Sequence, residues 1–484
     1  MRRPNLTLAV AALAAMALTA GCGLKQAQLD ALKQQQAAPG NTDTGLTTGG
    51  TTGLPATTGG TTGIPSTTGG TTGLPATTGG TTGLPATTGG TTGTTGGTTG
   101  GSTGGTTGPQ QVKCSTLGEN VPGVTPTEIR VGVHAPVTGA APLPANSFRD
   151  GLQAYWKNPA HKVCGRTVVI DFQDDKYTPQ TARDVCGPMS RRDFMVIGAA
   201  GTDQIQSCAT MPDIAAKGVP YLSAGVTTNG LTGLANYFAL TLTYAQQADL
   251  VLRNARLHGY GLKKWAVVTS NTNNFKDARE AMESVLKAAK VPYTDIQVDA
   301  SSSGNIQTRA AGTGTTIANG GYDTVFVDTS PGYWIYMQST ANRFFGNWVG
   351  PGVTMTEVTV AQLACKANPA IKANFLAPYP GLDHATAEFK TANNGSYDDI
   401  YWSLWGLSQA IQQTLDNAAS LTRAAFISSL KTASLPGGVY APERFNGGHF
   451  GGTGAYSLTI NCGETEPNQN NPGSWDTLGG LLTK

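Results

Sequence analysis

The sequence predicts an α/β protein: two lobes, each a doubly wound and mainly parallel sheet, set behind a disordered linker. Three observations predict it. Short runs of branched apolar residues alternate with helix-length stretches through residues 125–330. That alternation restarts once, near residue 244. Residues 44–112 carry no charge and consist of Thr, Gly, Pro and little else.

The chain opens with Met1-Arg2-Arg3, an apolar run over 6–18 and the small residues Thr19-Ala20-Gly21 before Cys22. A basic start, a short apolar stretch and a small-residue cut site make an export signal, too short for a spanning helix. The Cys after small residues resembles a bacterial lipobox. That resemblance implies removal of residues 1–21, a lipid on Cys22 and anchorage to the outer face of the cell membrane. A plain secretory signal cut nearby is the alternative; in both cases the mature protein works outside the cytoplasm. Residues 22–112 then read as a tether. Four copies of a ten-residue unit, TTGLPATTGG and close variants, run over 51–90. One branched aliphatic residue per unit cannot build a stacked core, and the glycines lack the every-third spacing of collagen. Such a segment buries too little apolar surface to offset its ordering entropy. As a coil its uncharged part reaches roughly 45 Å.

Residues 113–484 form the head, long enough for two lobes. The stretch 128–133 (EIRVGV) is a strand pattern, 147–157 a helix, and 167–173 (TVVIDFQ) a second strand alternating apolar and polar. A helix follows over 179–191, where Pro179 suits a first turn. The near-continuous apolar run 194–200 (FMVIGAA) fits a buried parallel strand. A helix over 203–217 ends at Gly218, and 219–223 is again a strand. The second round has helices over 244–258, 274–289 and 306–319 and strands over 265–270, 292–298 and 324–329. Strands separated by helices of this length indicate βαβ units. The end differs: helices over 397–417 and 421–431, then a Gly-rich, hairpin-like segment over 440–461. The expected lobes are 125–243 with 380–434, and 244–379 with 435–484.

The formal net charge is +2, which gives no electrostatic case for nucleic acid. Seven cysteines become six once Cys22 carries lipid. Six allow fifteen pairings, and an exported protein permits disulfides. The preferred set joins sequence neighbours: Cys114–Cys164, Cys186–Cys208 and Cys365–Cys462. No CxxC or zinc spacing occurs, so no metal and no cofactor are expected.

Four motifs in order carry a resemblance: the 132–139 loop (GVHAPVTG), the acidic pair Asp174-Asp175, the strand-to-loop 196–202 (VIGAAGT), and 219–227 (VPYLSAGVT). Together they resemble the type I periplasmic binding fold and, within it, the family of branched-chain amino-acid (Leu/Ile/Val)-binding proteins that serve ABC importers. The resemblance implies a monomeric solute-binding lipoprotein whose partners are a small-molecule ligand and a transporter permease. In the family, the positions of Gly225 and Thr227 supply backbone and hydroxyl contacts to the ligand head group. Phe275 stands where the family often has Tyr, and Ser330 occupies a position that usually lines the cleft. One departure stands out. Family members carry an acid after a Gly-Pro pair to meet the ligand ammonium; here Gly350-Pro351 is followed by Gly352, and Glu357 is the first acid. That puts a standard α-amino acid in doubt.

Ligands of open parallel sheets sit beyond the strands' carboxyl ends, where helix N-termini favour anions. Thr202, just before the 203–217 helix, suits an anion contact or an N-cap. Thr227 is a candidate contact or a turn residue, Asp328 an ammonium partner or a backbone-satisfied acid. Tyr333 and Trp334 wall the cleft or pack a helix. His134 lies on the first loop, near the expected cleft. The head lacks a nucleophile elbow, a metalloprotease helix and a P-loop, so a non-enzyme is expected. The leading expectation is capture of a small carboxylate-bearing molecule, amino-acid-like or aromatic, for an ABC importer. A ligand-sensing lipoprotein and a surface scaffold with a vestigial cleft remain as alternatives.

Overall fold

The computed structural model describes residues 121–484, apart from 140–142, 225–226, 301–303, 353–354 and 468. Cys22, the tether, Cys114 and Gly225 therefore lie outside the described residues. In chain order the head contains β1 (Glu128–Ala135), α1 (Ala145–Trp156), β2 (Thr167–Asp174), α2 (Pro179–Arg192), β3 (Met195–Gly198), α3 (Thr202–Ala209), α4 (Pro212–Ala215), β4 (Tyr221–Ser223) and β5 (Tyr237–Ala239). Then come α5 (Tyr244–Leu257), β6 (Trp265–Ser270), α6 (Lys276–Ala288), β7 (Tyr293–Val298), α7 (Ile306–Asn319), β8 (Thr324–Asp328), α8 (Pro331–Thr340), β9 (Asn347–Pro351), α9 (Val358–Ala367) and β10 (Ala373–Ala377). The chain closes with α10 (Ala387–Ala392), α11 (Asp399–Asn417), α12 (Arg423–Thr432), β11 (Ser434–Leu435), β12 (Glu443–Arg444), β13 (Gly454–Asn461), β14 (Ser474–Thr477) and β15 (Leu482–Thr483).

The first lobe's sheet runs β2–β1–β3–β4–β5 and is parallel throughout. The second runs β14–β13–β10–β9–β8–β6–β7, parallel from β10 to β7 and antiparallel at β13 and β14. The parallel parts share one winding: the order around β2–β1–β3 repeats as β7–β6–β8. Strands β3, β6 and β8 are buried along their whole length, which is why apolar residues dominate them without the alternation of a half-exposed strand. Polar caps set the helix starts. The Thr178 hydroxyl accepts from Thr181 N before Pro179, Thr243 and Gln246 form a capping box, and Asp398 accepts from Tyr401 N.

The structure differs from the sequence reading in three places. The single helix expected over 203–217 is two, α3 and α4, because Pro212 has no N–H to donate and its ring opposes a carbonyl one turn back. The helix expected from 274 opens as a 3₁₀ turn, Asn273–Phe275, before α6. The Gly-rich end turns back on itself only over a short stretch, where Glu443 bridges antiparallel to Gly452 and Arg444 N donates to Gly451 O; otherwise β12 pairs with β11, and β13 pairs with β10 and β14. Its early part stays with the first lobe, since Phe450 bridges to Ala239 of β5. The last passage between lobes thus falls near Gly452 rather than at 435. Three chain passages join the lobes: Thr241–Leu242, which lies against Gly452, the stretch at Gly452 itself, and Pro378, whose carbonyl accepts from Ala441 N. A Cβ at Gly452 would lie 2.2 Å from Leu242 N, so only glycine lets these backbones meet.

Cys186 is bonded to Cys208, clamping α2 to α3, and Cys365 to Cys462, clamping α9 to the end of β13. Cys164 is also disulfide-bonded. Among the described residues no helix is long and apolar enough to cross a membrane.

Candidate functional site

In a doubly wound sheet the crevice opens where the strand order reverses. Here that point lies between β1 and β3 in one lobe and between β6 and β8 in the other. One cavity lies over both points. The first lobe supplies Pro136 after β1, Tyr177 after β2, and Gly201 and Thr202 after β3; the second supplies Phe275 after β6 and Asp328 and Thr329 at the end of β8. Leu143, Tyr244, Pro331, Pro351 and Met355 complete the wall. The cavity keeps only about 20 Å³, room for about one water, so the lobes stand closed.

Direct bonds across the lobes hold this state. Thr202 Oγ1 and Tyr244 Oη are 2.8 Å apart. Asp203 accepts from Thr272 Oγ1 at 3.1 Å and Asn274 Nδ2 at 2.6 Å. Asp277 Oδ2 accepts from Thr227 Oγ1 at 3.2 Å, Thr228 N at 2.9 Å and Thr228 Oγ1 at 3.1 Å. Asn229 Nδ2 donates to Asn274 Oδ1 at 2.8 Å.

Asp328 is the most polar group of the wall. It is 5% exposed, and its Oδ2 has no hydrogen-bond partner. Burial, reinforced by the nearby Asp277 charge, pushes its carboxyl well above the usual carboxylate range. Burial likewise raises the Tyr244 and Tyr177 hydroxyls, which are therefore neutral donors. Among the described lining residues there is no Lys or Arg. The positive element is the N-terminus of α3, where Gly201 is the cap at φ 88°. A side chain there would be strained, and its Cβ would lie 2.6 Å from Gln204 Oε1. Phe275 stacks on Tyr244 with ring centroids 6.0 Å apart and makes an aromatic side wall.

Thr202, Phe275 and Asp328 are thus brought together at the cleft. Thr202 is the first residue of α3, not its cap. The structure places the other candidates elsewhere. Thr227 is fully buried and serves the Asp277 clasp, with Asn229 N donating to its hydroxyl at 3.0 Å. Ser330 caps α8 by accepting from Tyr333 N at 3.3 Å and donates to Ala300 O at 3.2 Å. Tyr333 turns to α7, with its hydroxyl 2.7 Å from Thr313 Oγ1, and Trp334 packs on Phe375. Glu357 is buried ahead of α9, outside the cleft wall.

His134 is sealed inside the first lobe, with Nδ1 2.8 Å from Asp175 Oδ2 and Nε2 2.6 Å from Tyr221 Oη. Both ring nitrogens are committed, so it offers nothing to a ligand. His134, Cys186 and Cys208 converge within 4.8 Å, but the two sulfurs are bonded to each other, which leaves no metal-ligand set.

Sequence reasoning missed Tyr177 and Tyr244. Tyr177 reaches the cleft because the acidic pair holds an irregular turn. Asp174 accepts from Lys176 N, Val137 N and the Thr138 hydroxyl, and Asp175 accepts from Tyr177 N. Lys176 and Tyr177 both sit at φ 55°, a left-handed pair that costs about 1 kcal/mol or more per residue and needs such fastening. The Asp-Asp pair was the available signal. Tyr244 looked like a helix start and nothing more.

A sequence model of the periplasmic binding protein family matches residues 128–465. Among curated proteins none matches. Solved structures do. The fatty acid ABC transporter substrate-binding protein from Thermomonospora curvata aligns at TM-score 0.64 and 16% identity, over 76% of this chain and 95% of its own. The branched-chain amino acid transporter substrate-binding protein from Streptococcus pneumoniae, in complex with isoleucine, aligns at TM-score 0.57 and 16% identity, over 73% and 100%. An ABC transporter solute-binding protein from R. palustris, in complex with benzoate, aligns at TM-score 0.55 and 16% identity, over 73% and 98%. At such identities the likeness speaks for the fold, a type I periplasmic binding fold of two lobes around a cleft. With the family match spanning most of the head, this chain belongs to the periplasmic binding protein family.

Proposed function

We propose that this protein captures a small amino-acid-like or aromatic acid between its lobes and delivers it to an ABC importer, held to the outer face of the cell membrane by a lipid on Cys22. The observation that carries the ligand class is Asp328: a buried carboxyl with an unpartnered oxygen, at the strand-end crevice, facing an apolar and aromatic wall. In this reading a ligand ammonium or hydroxyl donates to Asp328. The ligand carboxylate meets the N–H groups at the start of α3 and the Tyr177 hydroxyl. Its apolar body lies on Phe275, Tyr244, Leu143 and Met355. Asp328 then takes the part that the family gives to an acid after the Gly-Pro pair. The relatives' ligands support a carboxylate: isoleucine and benzoate both carry one.

Binding proceeds by closure, the ligand drawing the open–closed equilibrium to the closed side. The nearly filled cavity means that entry requires the lobes to part. The test is thermal unfolding against amino acids, aromatic acids, amides and short peptides. A ligand at about 100 times its dissociation constant adds roughly 2.7 kcal/mol. The expected hit carries both a carboxylate and a hydrogen-bond donor, and Asp328→Asn weakens it about tenfold or more, the value of a charge-assisted bond. A hit that Asp328→Asn leaves untouched removes Asp328 from the site. No hit in any class removes the capture reading.

A further inference from the structure

A second cavity, of about 210 Å³, lies away from the cleft, where the segment after β13 meets the α10–α11 region. Four carboxyl groups line it, Asp383, Glu464, Glu466 and Asp476, against one ammonium, Lys390. Acidic side chains on a surface are ordinarily solvated and mean little. Glu466 is different. It is 5% exposed, lines the cavity, and its oxygens take no side-chain N–H or hydroxyl donor; its carboxyl faces that of Asp399. Behind it stands Asp399, fully buried, whose two oxygens likewise take no such donor. Burying two carboxyls together without donors is costly unless a proton or a cation is shared.

The rim acids are already turned toward neutral donors. Asp383 accepts from Thr477 Oγ1 at 2.9 Å, and Asp476 accepts from Asn461 Nδ2 at 2.7 Å. Among the described residues Lys390 is the one ammonium that lines the cavity with them. Tyr397 and Trp475 add aromatic lining. Among the described residues no three acidic ligand atoms converge here, which a hard divalent cation demands. Aromatic lining with separated carboxylates instead suits an organic ammonium ion.

We propose that this cavity binds a small organic ammonium ion, with Glu466 as its buried counter-ion and Glu464 and Asp476 at the mouth. Proton and ligand then compete for one carboxylate. Burial pushes Glu466 up to about 8, with Asp398 and Glu357 adding to the rise; Asp399 and the Trp475 backbone oppose it. Asp399 itself is held well above its usual range, first by burial and then by the Glu466 charge. The cation must displace the proton from Glu466, so its affinity rises with pH.

The experiment is calorimetric titration of the mature, disulfide-intact chain with 1,4-diaminobutane between about pH 6 and 8, where amines with pKa near 10 stay charged. Affinity is expected to rise about tenfold or more across that range. Glu466→Gln, which keeps shape, should weaken binding at pH 8 about tenfold and flatten the pH profile. Glu464→Gln, on the exposed rim, should weaken it several-fold and keeps the test sound if the buried variant is misfolded by urea denaturation. Absence of binding at every pH overturns the proposal. So does affinity unchanged by both substitutions, or affinity abolished by Asp328→Asn alone, which would place the cation in the inter-lobe cleft.

Discussion

Asp277 carries more of the closed state than any residue that touches the cavity. One carboxylate oxygen takes three donors from Thr227 and Thr228, on the opposite lobe. Charge-assisted bonds of this kind contribute about 1.5–3 kcal/mol each where a partner is lost. Asp277→Ala should therefore lower ligand affinity about tenfold, mainly through a faster off-rate, while the urea midpoint moves little; stopped-flow dissociation reads it. An unchanged off-rate would mean that the clasp does not limit ligand release. The same residues show what the sequence revealed. Thr202, Phe275 and Asp328 were legible because each follows a recognisable strand, and strand ends point at the crevice. Thr227 and Ser330 follow strands too, yet their hydroxyls are turned to Asp277 and to the start of α8. Spacing along a chain marks which loop a residue occupies, not which way its side chain faces. Tyr177 was missed for another reason: its direction comes from a left-handed turn fastened by Asp174 and Asp175 two residues earlier, so the acidic pair marked the turn but not the side chain that the turn aims.

At the scale of elements, α3 turns its N-terminus to the cleft, and its placement depends on what lies behind it. Pro212 ends the helical run early, and the Cys186–Cys208 bond fixes α3 against α2. A loop of this size stabilises by about 3 kcal/mol when closed by a disulfide. Replacing both cysteines with Ala should reduce urea stability by about that amount and also weaken the cleft ligand, because the start of α3 loses its fixed position. A loss of stability with affinity intact would show that packing of α3 is enough to hold it. Most elements were readable, since fully buried parallel strands and capped amphipathic helices leave strong local patterns. The split of α3 from α4 was readable in principle from Pro212. The pairing of β13 was not, because β10 lies some eighty residues earlier and nothing in a Gly-rich stretch names its partner.

Across the whole molecule, the buried acids give an unusual pH response. Asp193 is pushed up to about 7 and Glu443 to about 8, each first by burial. Asp328, Glu357 and Asp399 are also raised. A carboxyl whose folded pKa exceeds its unfolded value binds a proton in the folded state that the unfolded state has released. Stability is then greatest below the unfolded pKa, near 4, and declines as pH rises through the folded pKa. His449, lowered by burial, acts the other way over a narrower window below its usual value. The thermal midpoint should thus be higher at pH 5 than at pH 8 by scanning calorimetry, and Glu443→Gln should flatten part of the slope. A midpoint that climbs across that interval would contradict the burial-driven shifts.

The three connections at Thr241–Leu242, Pro378 and Gly452 govern how the lobes can part. A single connecting strand would act as a swivel, free to twist in any plane. Three connections, two of them pressed together at a glycine and the third tied to Ala441, behave like the spine of a book. Opening becomes rotation about one line, and every inter-lobe distance follows from one angle. Two spin labels on opposite lobes should therefore report a single distance coordinate that a ligand shortens, without a twisted third population. Gly452→Ala would push the spine apart and leave the covers ajar even when the cavity is filled.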